Sequence, residues 1–264
     1  MSDLFLSIIT PVYNREDCIE RCIMSVQNNT FKDFEHIIID DGSTDNTYSI
    51  AKNLQEIYKN IKMIKNEGNK GVCYSFNRGI ENAFGEYVIF LGSDDKLTSN
   101  ATSIIEKTIN KNPGYRHYLF LPDDMVETYK NVKKLQNEHS VIEFKDWLNG
   151  EVWGDFVHVI KRECFDNIKF DENYRIYEGI TFLKLYKENK EQFFTKEIIS
   201  IRERDRKDSV SREYELKNKK SINSQYKILK KEIDEFEEDF KELRLRERLE
   251  YIKKRAIILG MASN

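Results

Sequence analysis

Two pairs of adjacent carboxylates, Asp40-Asp41 and Asp94-Asp95, each follow a short apolar run and share a turn with glycine and serine, as Asp40-Asp41-Gly42-Ser43 and Gly92-Ser93-Asp94-Asp95. Adjacent carboxylates repel each other. A hard divalent cation, which takes carboxylate and phosphate oxygens together, offsets that repulsion. Two more polar turns follow apolar runs in the same way: Thr10-Pro11-Val12-Tyr13-Asn14 and Asn66-Glu67-Gly68-Asn69-Lys70-Gly71. Neither GxxxxGK[ST] nor GxGxxG occurs, so phosphates would be held through a metal and not in a glycine-rich backbone cradle. Singly, each motif has a plainer reading. Asp41-Gly42 is an ordinary turn dipeptide, and Asp94-Asp95 ahead of a helix complements the helix dipole. Their order and spacing together favour one site.

Such turns need a scaffold that brings them to one place. The first 121 residues alternate between a strand-like and a helical period. Leu4–Thr10, His36–Asp40, Ile61–Lys65 and Tyr87–Leu91 read as strands. His-Ile-Ile-Ile-Asp is apolar throughout, as a strand buried on both faces is. Between them, helices are expected over Arg15–Asn28, around Ile50, Leu54 and Ile57, and over Val72–Ala83. Another follows Ser99, carries Ile104, Ile105 and Ile109, and stops at Pro113-Gly114. This order predicts an α/β fold with a Rossmann-like, mostly parallel sheet flanked by helices and right-handed crossovers. In such a sheet, ligands bind in the crevice beyond the carboxyl ends of the strands. From Tyr115 to Asp205 the pattern is mixed: strands are expected at Tyr115–Leu121, Phe156–Lys161 and Phe193–Ile201, and helices at Phe144–Leu148 and Ile180–Lys187.

At this point the sequence resembles the inverting glycosyltransferase family 2 with the GT-A fold, of the bacterial surface-polysaccharide type. The resemblance rests on Ser7-Ile8-Ile9-Thr10-Pro11-Val12-Tyr13-Asn14, on Ile37-Ile38-Ile39-Asp40-Asp41-Gly42-Ser43-Thr44-Asp45, and on Asn77-Arg78-Gly79-Ile80 followed by Ala83-Phe84-Gly85-Glu86-Tyr87-Val88-Ile89-Phe90-Leu91-Gly92-Ser93-Asp94-Asp95. It implies that Thr10, Pro11 and Tyr13 line a base pocket, with Tyr13 against a uracil ring, and that Asp41 accepts a hydrogen bond from the base. Asp95 would be the main ligand of Mn2+ or Mg2+, with Asp94 contacting the donor ribose or completing the metal shell. Lys70 and Arg78 are candidates for the diphosphate, a solvated surface role being the other reading. Where the family often has an aspartate this chain has Gly92, which shortens the acidic run.

Inversion requires in-line attack by an acceptor hydroxyl while a carboxylate removes its proton. The family usually supplies that carboxylate from an acidic pair at a helix start in the second half. The matching stretch here is Phe170-Asp171-Glu172-Asn173-Tyr174-Arg175-Ile176-Tyr177-Glu178-Gly179-Ile180-Thr181-Phe182. Glu178 is the expected base, at a helix N-terminus that favours its ionised form, and Asp155 is the reserve. Helix-terminal charge is the plainer reading of Glu178. Asp171 and Glu172 are expected to be structural. Trp153, in Trp153-Gly154-Asp155-Phe156-Val157-His158, reads equally as a sugar-stacking acceptor platform and as a core tryptophan. His158 reads as a core histidine.

Of 264 residues, 43 are basic and 46 acidic, for a net charge of −3, so no global basic field points to nucleic acid. Cys18, Cys22, Cys73 and Cys164 have no zinc spacing and read as small reduced hydrophobes. The opening residues lack a basic n-region and are too short for a signal or a span, which predicts a cytoplasmic protein, with peripheral contact at the inner face of the membrane as an extension of that reading. The expected division is a GT-A domain over 1–210, with a nucleotide-binding half 1–97 and an acceptor half 98–210, and a C-terminal amphipathic helical extension over 211–264. In the extension, Ile222, Tyr226, Leu229, Ile233, Phe236, Phe240 and Leu243 form an a/d seam, and Leu249, Ile252, Ile257 and Leu259 a second amphipathic piece beside Lys253, Lys254 and Arg255. Packing on the domain, homodimerisation and an anionic membrane surface are its three readings. The function expected is transfer of a hexose or N-acetylhexosamine from a UDP-sugar to an undecaprenyl-diphosphate-linked oligosaccharide in O-antigen, capsule or lipopolysaccharide synthesis. Transfer to a protein-linked glycan, and a non-catalytic nucleotide-sugar-binding module, are the alternatives.

Overall fold

A computed structural model describes residues 4–173, 178–203 and 219–263. In chain order the elements are β1 (Leu6–Val12), α1 (Ile19–Gln27), β2 (Phe34–Asp40), α2 (Thr47–Ile57), β3 (Ile61–Lys65), α3 (Val72–Glu81), β4 (Tyr87–Phe90), β5 (Lys96–Leu97), α4 (Ala101–Lys111), β6 (His117–Pro122), α5 (Val126–Tyr129), β7 (His139–Glu143), α6 (Phe144–Leu148), β8 (Val157–Lys161), α7 (Gly179–Asn189), β9 (Glu191–Ile201), α8 (Lys219–Glu242) and α9 (Arg246–Ser263).

The strands form one sheet in the order β3-β2-β1-β4-β8-β6-β9-β5, with β7 on β9. β3, β2, β1 and β4 are parallel. Their carboxyl ends therefore meet at one edge, where Val12 lies opposite Asp40 and Asp40 opposite Lys65. The second half, mixed in its sequence pattern, is mixed in strand direction as well. β8 runs antiparallel to β4 and β6, β9 is parallel to β6, and β5 and β7 are antiparallel to β9. The antiparallel return has a consequence for function. With Ile89 opposite Val159, the start of β8 lies at the same sheet edge as the end of β4.

Apolar side chains explain the layers. Leu6, Ile8, Ile89, Val159 and Ile105 belong to one buried cluster, and Ile9, Ile37, Val88, Ile160 and Leu185 to another, the two faces being the alternating sides of the same strands. The helix expected from Arg15 begins only at Ile19, because residues 15–18 form a turn that hooks onto the next loop. The four cysteines are buried and form no disulfide.

By contacts the chain divides into two compact units, Met1–Phe144 with Val152–Glu203, and Lys145–Glu151 with Arg204–Asn264. In the second, α8 and α9 form a hairpin whose turn places Arg244 at φ 59°. Ile228, Phe236 and Phe240 of α8 and Leu249, Ile252, Ala256 and Leu259 of α9 are buried. The expected seam is thus only partly buried: Leu243, beside the reversal at 244, is exposed, as is Ile257 of the second amphipathic piece. Residues 211–218 of the expected extension lie outside the described residues. Among the described residues, no helix is long and apolar enough to cross a membrane.

Candidate active site

The turns after β1 and β2 are stitched together by short polar side chains. Asn14, at φ 49°, donates its backbone N–H to Ser43 Oγ at 3.0 Å, and its Oδ1 accepts the Thr44 N–H at 2.9 Å. Arg15 N donates to Thr47 Oγ1 at 2.7 Å, and Asp41 N to the Val12 carbonyl at 2.8 Å. This stitching leaves Tyr13 at the lip with 40% of its surface exposed, an aromatic face available to a flat base. Pro11 beside it is half-buried. Thr10 differs from its expected place, since its side chain is fully buried and its hydroxyl lies 2.9 Å from His36 Nε2. Thr10 supports the pocket from beneath. Burial pushes His36 down to about 3, so its ring is neutral there.

Asp41 is the most heavily engaged of the predicted residues. It is buried, and it accepts from Asn66 Nδ2 (2.8 Å), Lys70 N (2.9 Å) and Gly71 N (2.7 Å). The carboxylate thereby fastens the whole 66–71 loop to the end of β2. Arg78 Nη1 donates to Asn66 Oδ1 at 2.8 Å, extending the chain of hydrogen bonds from α3 to Asp41. Arg78 therefore holds the loop, while the Lys70 side chain is exposed. Asn66, which sequence reading passed over, is the centre of this network. Its position directly after β3, level with Asp40-Asp41, was the available signal. Glycine is required where the two turns cross: a Cβ on Gly42, at φ 78°, would lie 2.5 Å from the Gly68 backbone. The neighbouring Asp40 is fully buried with Lys65 Nζ 3.9 Å away, and burial raises its carboxyl above the usual range.

The turn after β4 is held from outside. Arg21 Nη2 donates to the Asp94 carbonyl at 2.8 Å and Arg21 Nη1 pairs with Glu203 at 3.1 Å, while the Glu203 N–H donates to Asp95 Oδ1 at 3.1 Å. Cys18 and Cys22 lie beneath, their thiols 3.7 Å and 3.5 Å from the Ser93 and Gly92 carbonyls. A Cβ placed on Gly92 would be 2.8 Å from Asp95 Oδ2 and 3.2 Å from Asp94 Oδ1. Both carboxylates thus converge over the bare glycine, which accounts for the missing third acid. No group of three His, Cys, Asp or Glu side chains poised for a metal occurs among the described residues. Two converging carboxylates suit a Mg2+-type ion that takes its remaining ligands from water and a bound diphosphate.

Across the edge, the start of β8 and the start of α7 carry the acceptor-side candidates. Trp153 is 52% exposed, which removes the core reading. Asp155 has a 67% exposed side chain and sits 3.6 Å from Arg202 Nη1. Glu178 is half-buried just ahead of α7, and burial raises its carboxyl above the ordinary glutamate range, with the nearby Asp155 charge pushing the same way. Residues 174–177 of the motif before it lie outside the described residues. Glu172 accepts from Asn77 Nδ2 at 2.8 Å and Asp171 from Asn173 N at 3.0 Å, so both hold local structure. His158 is not a satisfied core residue: it is half-buried and bonded on one side only, to His117.

The sequence of residues 7–140 matches the family model described as Glycosyl transferase family 2. The chain belongs to that family. Over 213 residues it is 35% identical to the GalNAc(5)-diNAcBac-PP-undecaprenol beta-1,3-glucosyltransferase of Campylobacter jejuni, covering 78% of this chain and 67% of that protein. Its fold resembles S. aureus TarS 1-349 in complex with UDP-GlcNAc, with a TM-score of 0.69 at 17% identity over 87% of this chain and 66% of that one. It also resembles the mannosyltransferase PcManGT of Pyrobaculum calidifontis in complex with GDP-Man and Mn2+, with a TM-score of 0.68 at 14% identity over 98% and 74%. At these identities the likeness is one of fold, the GT-A arrangement of this glycosyltransferase family.

Gly42→Ala is expected to destabilise the chain by roughly 3 kcal/mol through backbone strain and overlap with Gly68, read as a lowered midpoint in urea. Gly92→Ala forces Asp95 aside at little cost to stability. Calorimetry with Mn2+ present should show UDP affinity weakened by about tenfold, and an unchanged affinity would contradict the convergent site.

Proposed function

We propose that this protein is an inverting glycosyltransferase that moves a hexose or N-acetylhexosamine from a UDP-sugar to a lipid-linked oligosaccharide in surface-glycan synthesis. The observation that carries this reading is the common sheet edge. The Tyr13 and Asp41 turns and the Asp94-Asp95 turn lie on one half, and Asp155, just ahead of β8, lies on the other, its charge close enough to Glu178 to raise that carboxyl. UDP-GlcNAc in the staphylococcal neighbour and the undecaprenol-linked acceptor named for the Campylobacter relative support the two substrate classes.

In this reading Tyr13 stacks on the uracil, and Asp41 Oδ2, which accepts one N–H from the 66–71 loop, accepts the base N–H as well. Asp94 and Asp95 would hold Mn2+ or Mg2+, which would neutralise charge on the diphosphate leaving group. Lys70, free of the Asp41 network beyond its backbone, reaches toward the same diphosphate, while Arg78 fixes the loop that carries it. Glu178 accepts the proton of the attacking hydroxyl. Asp155 is the weaker choice for base because Arg202 already compensates its charge. Trp153 presents an apolar face to the sugar C–H surface.

The second compact unit supplies an address. α9 exposes Tyr251, Ile257, Ile258 and Met261 next to Lys253, Lys254 and Arg255, an apolar ridge with basic flanks suited to an anionic membrane surface, where a lipid-linked acceptor resides.

A base works only when ionised, so transfer should fall as pH drops through the raised Glu178 pKa. The acid limb of the rate profile is therefore expected above the ordinary glutamate value of about 4.3. Glu178→Gln should lower kcat by about 10²–10⁴-fold and abolish that limb, whereas Asp155→Asn should shift the limb to lower pH. The reverse pattern would make Asp155 the base. On the membrane side, Ile258→Glu with Met261→Glu should reduce co-sedimentation with phosphatidylglycerol vesicles. Equal sedimentation by the variant would set the ridge aside.

A further inference from the structure

His117 and His158 form a buried-to-half-buried imidazole pair that the chemistry above leaves unused. His117, at the start of β6, is fully buried, and its Nε2 lies 2.9 Å from His158 Nδ1. Aromatic rings of α7 cover both: His158 stacks on Phe182 with centroids 4.2 Å apart at 20°, and His117 on Tyr186 at 5.5 Å and 28°. Phe182 follows Glu178 by one turn, its N–H donating to the Glu178 carbonyl at 3.1 Å. The β4–β8 register puts His158 level with the end of β4, beside the sheet edge that carries the site. Burial, with the positive charge of Arg202 adding to it, pushes His158 down to about 3, and burial lowers His117 too. Both rings are therefore neutral, with one proton each.

The proton positions follow from what surrounds His117. Its Nδ1 is buried with no hydrogen-bond partner among the described residues. Were His158 protonated on Nδ1, His117 would have to accept at Nε2 and carry its own proton on the orphaned Nδ1. An orphaned buried N–H is the rarer and costlier state. His117 instead donates from Nε2 to His158 Nδ1, which leaves the proton of His158 on Nε2. That nitrogen has no partner among the described residues, and its ring is only half-buried.

We propose that this tautomer-locked pair presents His158 Nε2–H to a hydroxyl oxygen of the acceptor sugar, an inference that rests on the glycosyltransferase reading above. The hydroxyl is one adjacent to the attacking one. A donor on the attacking oxygen would oppose the proton transfer to Glu178, whereas a donor on its neighbour orients the ring at no such cost. His158 is thus an acceptor-binding residue, and His117 a positioning residue that acts through it.

Nitrogen-15 NMR of the histidine rings in the full chain reads the tautomer directly. His158 is expected neutral with its proton on Nε2, and a proton on Nδ1 would overturn the proposal. Kinetics read the contact, using a UDP-sugar donor and an undecaprenyl-diphosphate-linked GalNAc oligosaccharide as the acceptor probe. His158→Phe keeps the stack on Phe182 and loses the donor, so the acceptor KM should rise about tenfold with the donor KM within about twofold. His158→Gln returns an N–H near the lost one and should recover most of the difference. Transfer by the wild type with an unchanged acceptor KM in His158→Phe overturns this inference alone. Absence of UDP release by the wild type from every UDP-sugar overturns the glycosyltransferase reading and this inference with it.

Discussion

One buried carboxylate organises the parallel half of this protein. Asp41 sits at the end of a central strand, out of water, and a carboxylate there is tolerable only if its oxygens are satisfied. Three N–H donors satisfy them, and all three come from residues 66–71. Hydrogen bonds to a charged group contribute about 1.5–3 kcal/mol each, so the loop after β3 is held close to β2. That closeness is what requires glycine at 42 against Gly68. It also sets the height of the Tyr13 lip, because the Asn14–Ser43 stitch ties the first turn to the second.

The other acids owe their proposed roles to how they differ from Asp41. Asp94 and Asp95 converge over a glycine, an arrangement that suits a cation. Asp155 is exposed and paired with Arg202, so its charge is compensated. Glu178 is half-buried and its carboxyl is raised, which suits a group that must take up a proton. In the proposed reading, burial and neighbours alone sort identical functional groups into clamp, cation site, ion pair and base.

The parallel half of the fold was legible from periodicity because its strands are apolar runs and its helices are amphipathic; β3, expected at Ile61–Lys65, occurs with those bounds. The second half was less so. β5 has two residues, β7 is largely exposed, and neither has the alternation that marks a strand. The antiparallel return of β8 depends on contacts distant in sequence, yet it is what carries Asp155 and His158 to the site's edge. Among site residues, Tyr13 is placed as its motif implies, while the inward turn of Thr10 toward His36 required knowing that both strands are central. Asn66 is marked only by its place directly after β3, level with Asp41, whereas His117 has ordinary sequence surroundings and only its partner reveals it. Gly92 looked like a loss until the two carboxylates were found above it.

Every part of the proposed chemistry depends on a single displacement at the sugar carbon, with an acceptor hydroxyl activated by Glu178 on the face opposite the diphosphate. The anomeric configuration of the product is the most direct readout of that geometry. With an α-linked UDP-sugar, a lipid-linked oligosaccharide acceptor and Mn2+, proton NMR of the product should show the large anomeric coupling of a β-linkage for a gluco- or galacto-configured sugar. An α-linked product would contradict the account, since one in-line attack from the Glu178 side cannot retain configuration.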